Sequence, residues 1–268
     1  MNEFCIVSSL FNINREEMDG RKWEEYLSWF GETLKLDVPM VLFVQQDLEE
    51  FILERRSQEN TKIVVQKLEE IPLYYLKDEM DAIISNDEYQ TTTLKNFRIE
   101  CQHSIYSIIQ YSKFSWLKYV SEKKYFNSKF YFWLDAGASR FFNGFNFEKK
   151  YPGENALKAL DLMGDSFLIQ FNNDGIYPDL INAESLPLSY LKDPRSFVCG
   201  SHFGGNKKSI EIIKKEVMDI FVNEMLKNNF INNEQIVLGY LLKNKPDLFM
   251  EFEKRGNNHM EIFEELTK

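Results

Sequence analysis

A carboxylate ends the most aromatic strand-like run of the chain. The run KFYFWLD at residues 129–135 predicts a buried strand that stops at Asp135, and small residues and then Arg140 follow it. A carboxylate at the end of a strand suits Mg²⁺ or Mn²⁺, which prefer oxygen ligands and bind phosphate groups in turn. Arg140 could hold an anionic group bidentately. The alternative is an Asp that caps a turn, because Asx turns are common after strands.

A glycine-rich segment with a central histidine is the second candidate. The residues CGSHFGG at 199–205 precede a predicted helix that begins at Lys207. Three glycines in this segment indicate a tight loop whose backbone N–H groups can face a sugar or a phosphate. His202 lies in the middle of it and is a candidate for contact with a metal or a sugar. A structural turn histidine is the alternative.

Glu234 and Lys113 are two further candidates. Glu234 lies in the sequence NNEQ at residues 232–235, which opens a predicted helix. Its carboxylate could point into a cleft, although an Asn N-cap followed by Glu is also ordinary capping chemistry. Lys113 lies on a predicted helix over residues 100–120. It could neutralise a diphosphate if it points inward, and otherwise it is a solvated surface lysine.

The elements that would position these residues alternate between strand and helix patterns. Buried strands are predicted at residues 5–11, 38–44, 62–68, 129–135, 166–171 and 196–199, and helices at 23–34, 100–120, 207–226 and 233–242. Neither an internal repeat nor a flexible linker divides the chain. We therefore expect one α/β domain over residues 1–268, with a mixed, mostly parallel central sheet flanked by helices. Ligands of such sheets bind beyond the carboxyl ends of the strands.

Composition narrows the classes of function. The chain has 32 basic and 42 acidic residues, and its net charge of -10 disfavours a nucleic-acid partner. Its three cysteines, Cys5, Cys101 and Cys199, have no CxxC spacing, which fits a reducing compartment rather than a disulfide framework or a cysteine zinc site. The apolar runs are far shorter than the ~20 residues of a membrane span, and no signal pattern precedes them. We expect a cytoplasmic protein.

The order and spacing of these motifs resemble those of the HtrL/YibB-like family of bacterial and viral proteins. The similarity covers residues 4–250 and is carried by IVSSLFNINR, WEEYLSWF, VPMVLFV, WLDAG, CGSHFGG, NNEQ and KPDLF. The resemblance implies a nucleotide-sugar glycosyltransferase of the GT-A fold. The resemblance implies transfer of a sugar, from a UDP-sugar, to a carbohydrate or glycoconjugate acceptor. It also implies a nucleotide-binding half at residues 1–135 and an acceptor-binding half at 136–268.

The resemblance assigns roles to particular residues. Asp135 takes the place of the acidic motif that holds the metal, Mn²⁺ or Mg²⁺, and Glu234 is similar to an acid of retaining GT-A enzymes, so both are catalytic candidates. Gly137 replaces the usual second acid, so that either His202 completes the metal site or the metal dependence is weak. Nucleotide-sugar contacts are expected from Ser8, Phe11, Arg15, Lys113, Leu134, Ala136, Gly137 and Arg140. Contacts to the acceptor or the transferred sugar are expected from His202, Phe203, Gly204, Gly205 and Gln235.

Two other functions compete with sugar transfer. One is a non-catalytic nucleotide- or carbohydrate-binding protein that kept the fold and lost turnover, which the missing second acid supports. A metal-dependent phosphohydrolase normally needs two metals, and hence a denser cluster of acids or histidines than this sequence offers. Trp133, Phe141 and Phe142 could stack on a sugar or pack in the core.

Overall fold

A central sheet of seven strands organises the chain. The computed structural model describes residues 3–93, 98–142, 145–172, 175–254 and 261–267. The strands are β1 (Phe4–Leu10), β2 (Met40–Val44), β3 (Thr61–Val65), β4 (Phe130–Leu134), β5 (Phe167–Asn172), β6 (Val198–Asn206) and β7 (Phe249–Lys254). Strands from both halves of the sequence therefore belong to one sheet.

The strand order is β3-β2-β1-β4-β6-β5-β7. Strand β6 runs antiparallel to both of its neighbours, β4 and β5. The other pairings of the sheet are parallel. This mixed, mostly parallel arrangement confirms the predicted α/β fold, which is Rossmann-like. After β1 the chain builds outward through β2 and β3 and then returns to β4 on the other side of β1, and such a switch point opens a crevice at the carboxyl ends of the strands.

Helices cover both faces of the sheet. They are α1 (Arg15–Asp19), α2 (Trp23–Thr33), α3 (Glu49–Leu53), α4 (Lys77–Ile84), α5 (Asp87–Thr92), α6 (Ile99–Gln102), α7 (Ser104–Lys123), α8 (Glu154–Leu162), α9 (Pro178–Ile181), α10 (Lys207–Asp219), α11 (Glu234–Asn244) and α12 (Glu261–Glu265). Within the ranges given above, none of them combines the length and the apolar character that crossing a membrane requires.

The central strands are buried and mostly apolar because they are covered on both sides. All residues of β1, β2 and β4 are buried. Side chains alternate between the two faces. Val7 and Phe11 pack with α7, which contributes Trp116, whereas Ile6 and Leu10 pack with Phe30 and other residues on the α2 side. The run 100–120 that was predicted as one helix consists of α6 and the longer α7.

The glycine-rich segment at 199–205 is not a loop, so that prediction was wrong. It forms most of β6 and pairs with β4, where Gly204 lies opposite Phe132. A Cβ atom on Gly204 would stand 2.3 Å from the Tyr131 carbonyl oxygen, and one on Gly205 would stand 2.2 Å from the Ser209 hydroxyl. These glycines therefore allow close packing of the backbone against its neighbours. The same composition is typical of phosphate loops, which is why the sequence misleads here.

Candidate functional site

A cavity of about 370 Å³ opens at the carboxyl ends of β1 and β4. This is the switch point of the sheet, where open α/β folds bind their ligands. Four parts of the chain line the cavity: the end of β1 with the segment after it, the start of α2, one face of α7, and the end of β4 with the segment after it. The volume lies within the range of small-molecule sites in proteins. The strand order thus brings together residues that are more than one hundred positions apart in sequence.

Asp135 lines this cavity directly after β4, and 33% of its side chain is exposed. Its Oδ1 accepts a hydrogen bond from the indole Nε1 of Trp133 (2.6 Å) and lies 3.1 Å from the Nζ of Lys113. The short 3₁₀ helix that follows has Gly137 as its N-cap residue. The carboxylate of Asp135 is therefore held at the cavity, and its side chain does not cap a turn.

Lys113 is buried, with only 2% of its surface exposed. Its Nζ donates to Oε1 of Glu234 (2.9 Å) and to the carbonyl oxygen of Gly200 (3.0 Å), besides its contact with Asp135. Burial alone would lower the pKa of this lysine, but the two carboxylates outweigh burial and raise the pKa above its ordinary value. Lys113 is thus a fixed internal cation at the edge of the cavity rather than a solvated lysine.

Glu234 lies behind Lys113 and is 1% exposed. It occupies the first turn of α11, where Asn233 provides the N-cap by accepting a hydrogen bond from Ile236 N (3.2 Å). Burial raises the pKa of Glu234, and Lys113 acts in the opposite direction. Glu234 is not among the residues that line the cavity. The geometry makes it a partner of Lys113 and not a group that reaches a ligand.

Three arginines line the cavity, and two of them come from the segments that follow β1 and β4. Arg15, at the start of α1, donates to both carboxylate oxygens of Asp19, and its guanidinium carbon lies 4.5 Å from the ring centroid of Tyr106. Arg140 lies over Phe141 (4.7 Å) and Trp29 (5.2 Å). Both arginines line the cavity. Their planar donor groups suit phosphate oxygens, which they can bind bidentately.

Aromatic rings form much of the remaining wall. The aromatic lining residues are Phe11, Trp23, Tyr26, Tyr106 and Trp133. Two of them, Phe11 and Trp133, rest on the buried Trp116, whose ring centroid lies 5.9 Å from each of theirs in nearly parallel planes. Phe142, in contrast, packs in the core against Phe263 at 4.0 Å. Of the three aromatic residues considered for sugar stacking, only Trp133 lines the cavity.

The structure does not bring His202 to Asp135 as a second metal ligand. His202 is fully buried on the opposite face of the sheet from α7, among aromatic residues that include Phe263. Its Nδ1 lies 2.6 Å from the Trp133 carbonyl oxygen and its Nε2 lies 2.7 Å from the Tyr151 hydroxyl. Burial lowers the pKa of His202 to about 4, so the ring is neutral at pH 7. Both ring nitrogens are already used, which corrects its prediction as a ligand.

The donor set around Asp135 does not amount to a metal centre. Across the part of the chain that the structure describes, no group of three or more His, Cys, Asp or Glu side chains is arranged to hold a metal ion. Oδ1 of Asp135 is already engaged by Trp133 and by the ammonium group of Lys113. A cation next to a carboxylate weakens its attraction for a second cation. These residues on their own therefore fit Mn²⁺ or Mg²⁺ poorly.

The predicted contact residues divide into two groups. Six of the eight expected at the nucleotide-sugar line the cavity, namely Phe11, Arg15, Lys113, Ala136, Gly137 and Arg140. The other residues expected to touch ligand lie outside the lining, namely Ser8, Leu134, His202, Phe203, Gly204, Gly205 and Gln235. Leu134 and Phe203 are fully buried, and Phe203 stacks on Phe114 at 5.4 Å. Ser8 lies outside the lining because side chains alternate along a strand, so that Ser9 and not Ser8 lies on the face that packs against α7.

Sequence reasoning missed the face of α7 that lines the cavity. Tyr106, Gln110 and Lys113 follow each other at a spacing of four and three residues, which places them on one side of a helix. That spacing was the available signal, once Lys113 had been singled out. Trp23 and Tyr26 of α2 were missed because their helical spacing indicated only a core-facing side.

Fold and site together define a Rossmann-like α/β protein with a charged, aromatic ligand cavity at the switch point of its sheet. The family model described as "Bacterial protein of unknown function (HtrL_YibB)" matches residues 2–264. The chain therefore belongs to the HtrL/YibB family. Among curated proteins, none matches this sequence.

Proposed function

We propose that the protein is a glycosyltransferase of the GT-A type, which moves a sugar from a nucleotide-sugar, in the first instance a UDP-sugar, to a carbohydrate or glycoconjugate acceptor. The observation that carries this proposal is the convergence of Asp135, Arg15 and Arg140 on one aromatic-walled cavity at the switch point. A nucleotide-sugar combines a flat base, hydroxyl-rich sugars and a diphosphate. The cavity offers a matching group for each of these parts.

The two arginines would bind the diphosphate. When the bond between the sugar and the nucleoside diphosphate breaks, negative charge grows on the leaving phosphate oxygen, and preorganised cations stabilise it. Arg140 is held against Trp29 and Phe141, so little reorganisation of this side chain is needed when the ligand arrives. Arg15 already binds Asp19 through Nε and Nη2, so the diphosphate would take its remaining N–H groups. Lys113 adds positive charge at the edge of the cavity, although two carboxylates neutralise much of it.

Asp135 would bind the sugar side of the donor. Its orientation is fixed by Trp133 and Lys113, which both hold Oδ1. A fixed, partly exposed carboxylate can accept hydrogen bonds from sugar hydroxyls or stabilise the positive charge that develops on the sugar. Glu234, which the sequence suggested as a catalytic group, acts in this proposal as a positioning residue that keeps Lys113 in place.

The roles of the arginines and of Asp135 described above do not include a divalent cation, and the contribution of a cation is measured by experiment. The residues of the cavity on their own fit Mn²⁺ or Mg²⁺ poorly, so no step of this proposal depends on a metal ion. The residues described above bind, orient and neutralise the donor in either case. Activity with and without EDTA measures how much the cation adds.

The experiment is release of UDP from a panel of UDP-sugars, with and without carbohydrate acceptors and Mn²⁺. We expect turnover by the wild-type protein and its loss in Asp135→Asn, which removes the charge but keeps the shape. Asp161→Asn is the matched control, since Asp161 is an exposed α8 residue paired with Lys129. Binding of UDP-sugars without turnover across the panel would favour the non-catalytic alternative. Absence of both binding and turnover would contradict the proposal.

A further inference from the structure

The ammonium group of Lys113 is fully occupied by the protein itself. Its Nζ lies 2.9 Å from Oε1 of Glu234, 3.0 Å from the Gly200 carbonyl oxygen and 3.1 Å from Oδ1 of Asp135. An ammonium group has three N–H donors, and these three oxygen atoms take all of them. Lys113 therefore has no donor left for a ligand, although it lines the cavity. Its part in the site is to hold other groups in place.

The carboxylate of Asp135 is held through one oxygen atom only. Both Lys113 and the indole N–H of Trp133 contact its Oδ1. Among the residues that the structure describes, none donates a hydrogen bond to Oδ2, and the side chain is partly exposed at the cavity. Oδ2 is therefore the oxygen that a ligand meets. Its direction depends on how firmly Oδ1 is held.

Gly200, on β6, leaves the space in which Lys113 and Glu234 meet. A Cβ atom at this position would stand 2.6 Å from Oε1 of Glu234, the same oxygen that accepts the hydrogen bond from Lys113. It would also stand 2.8 Å from Cγ and Nε2 of Gln235. The backbone at Gly200 is not left-handed, so its conformation does not call for glycine. The close approach of the α11 side chains does.

The two α11 side chains differ in how they could make room for a larger residue. Gln235 is partly exposed, so its side chain can turn away. Glu234 is buried, and it would have to withdraw by about 1 Å from an added methyl group, which loosens its bond to Lys113. We propose that Gly200 is a positioning residue of this site. By having no side chain, it lets Glu234 hold Lys113, and it thereby fixes the oxygen of the cavity carboxylate that meets the ligand. The consequence for turnover rests on the proposed function, whereas the contacts do not.

The first arm of the test needs no ligand. Trp133 donates to Oδ1 of Asp135, so the NMR signal of its indole N–H reports a displacement of that carboxylate. Trp133→Phe identifies this signal. We expect Gly200→Ala to move it and Gly239→Ala to leave it in place. Gly239 is the matched control because it lies on the same helix as Glu234, but a methyl group added there would meet two aromatic side chains at 3.1 Å and none of these polar groups.

A double variant shows whether the effect passes through Glu234. Glu234→Ala removes the oxygen atom that the new methyl group would meet, so adding Gly200→Ala to it should move the Trp133 signal little further. A full additional shift would mean that the methyl group disturbs the sheet directly, and it would overturn the proposal. The double variant also decides the matter if Gly200→Ala alone does not fold. Recovery of folding in the double variant supports the proposal, and no recovery overturns it.

Turnover provides the second arm. Free UDP lacks the transferred sugar, which is the part assigned to Asp135, so Gly200→Ala should bind UDP as tightly as the wild type does. Its kcat/KM for the UDP-sugar that the wild type uses should fall about tenfold, because a small misplacement of a group at the reacting centre is costly. Unchanged turnover, or an equal loss of UDP affinity, would overturn the proposal.

The two arms separate this inference from the proposed function. If the wild type neither binds nor turns over any nucleotide-sugar of the panel, the proposed function fails, and the Trp133 signal still decides whether Gly200 positions Asp135. If the wild type is active but Gly200→Ala leaves the Trp133 signal unmoved, the inference alone fails.

Discussion

Two buried polar clusters lie on opposite faces of the sheet near strands β4 and β6, and they differ in charge. On the α7 face, Lys113 is an ammonium group between Glu234 and the partly exposed Asp135. On the other face, His202 is a neutral ring whose two nitrogens are paired with Trp133 and Tyr151. Both ring nitrogens of the neutral cluster are paired within the protein, whereas two members of the charged cluster, Lys113 and Asp135, line the cavity. The comparison teaches that the buried charge in this part of the fold lies next to the cavity, whereas the neutral polar cluster lies away from it.

The largest effect is expected from Lys113→Met. This substitution keeps the length of the side chain but leaves Glu234 buried without its counter-charge, which costs about 3–5 kcal/mol in the free energy of unfolding. Urea denaturation measures the loss. Lys118→Met is the control on the same helix, since Lys118 pairs with Glu122 at the surface and its removal should hardly move the urea midpoint.

A double variant sharpens this prediction. Glu234→Gln removes the buried charge that Lys113→Met leaves behind, so the two substitutions together should be less destabilising than the sum of the single ones. Simple additivity, or a Lys113→Met protein as stable as the wild type, would mean that the pair does not hold this site together.

The His202 cluster should make the stability of the protein depend on pH. Because burial lowers the pKa of His202 from 6.5 to about 4, the unfolded chain binds a proton between these values that the folded protein does not. The stability from this residue is therefore complete above pH 6.5 and falls, by up to about 3 kcal/mol, as the pH decreases towards 4. Urea unfolding of the wild type and of His202→Gln across this range measures it. We expect a smaller slope in the variant, and equal slopes would contradict the neutral, closed character of this cluster.

The smallest of the three effects concerns the cavity alone. Arg140→Lys keeps the charge but loses the planar donor pair, so affinity for a UDP-sugar should fall about tenfold while the melting temperature stays the same. Arg55→Lys is the control, since Arg55 also lies over an aromatic ring, Phe51 at 3.7 Å, but does not line the cavity. Equal loss in both variants would mean that the position of Arg140 in the cavity does not explain the effect.

Local sequence patterns were sufficient to predict most of the fold. Continuous apolar runs predict the buried central strands, because parallel strands covered on both faces need no polar positions. They also place Asp135 at the carboxyl end of β4, where the structure has it. The segment 199–205 was misjudged because glycine serves equally in a phosphate loop and in a strand that packs closely on its neighbour.

The site was predictable only in part because it depends on contacts that are distant in sequence. The inward direction of Lys113 was considered, but its pairing with Glu234 joins residues 121 positions apart. Nothing in the local pattern around Gln110 distinguishes it from a solvated helix residue. The face of the sheet on which His202 lies follows from the register of β6 against β4, which the sequence does not reveal.

A crystal structure with a bound UDP-sugar tests the central claim most directly. The account predicts the diphosphate against Arg15 and Arg140, and the Asp135 carboxylate in contact with the donor, either directly or through a bound cation. Nucleotide density outside this cavity, or a donor inside it that leaves Asp135 without contact, would contradict the account.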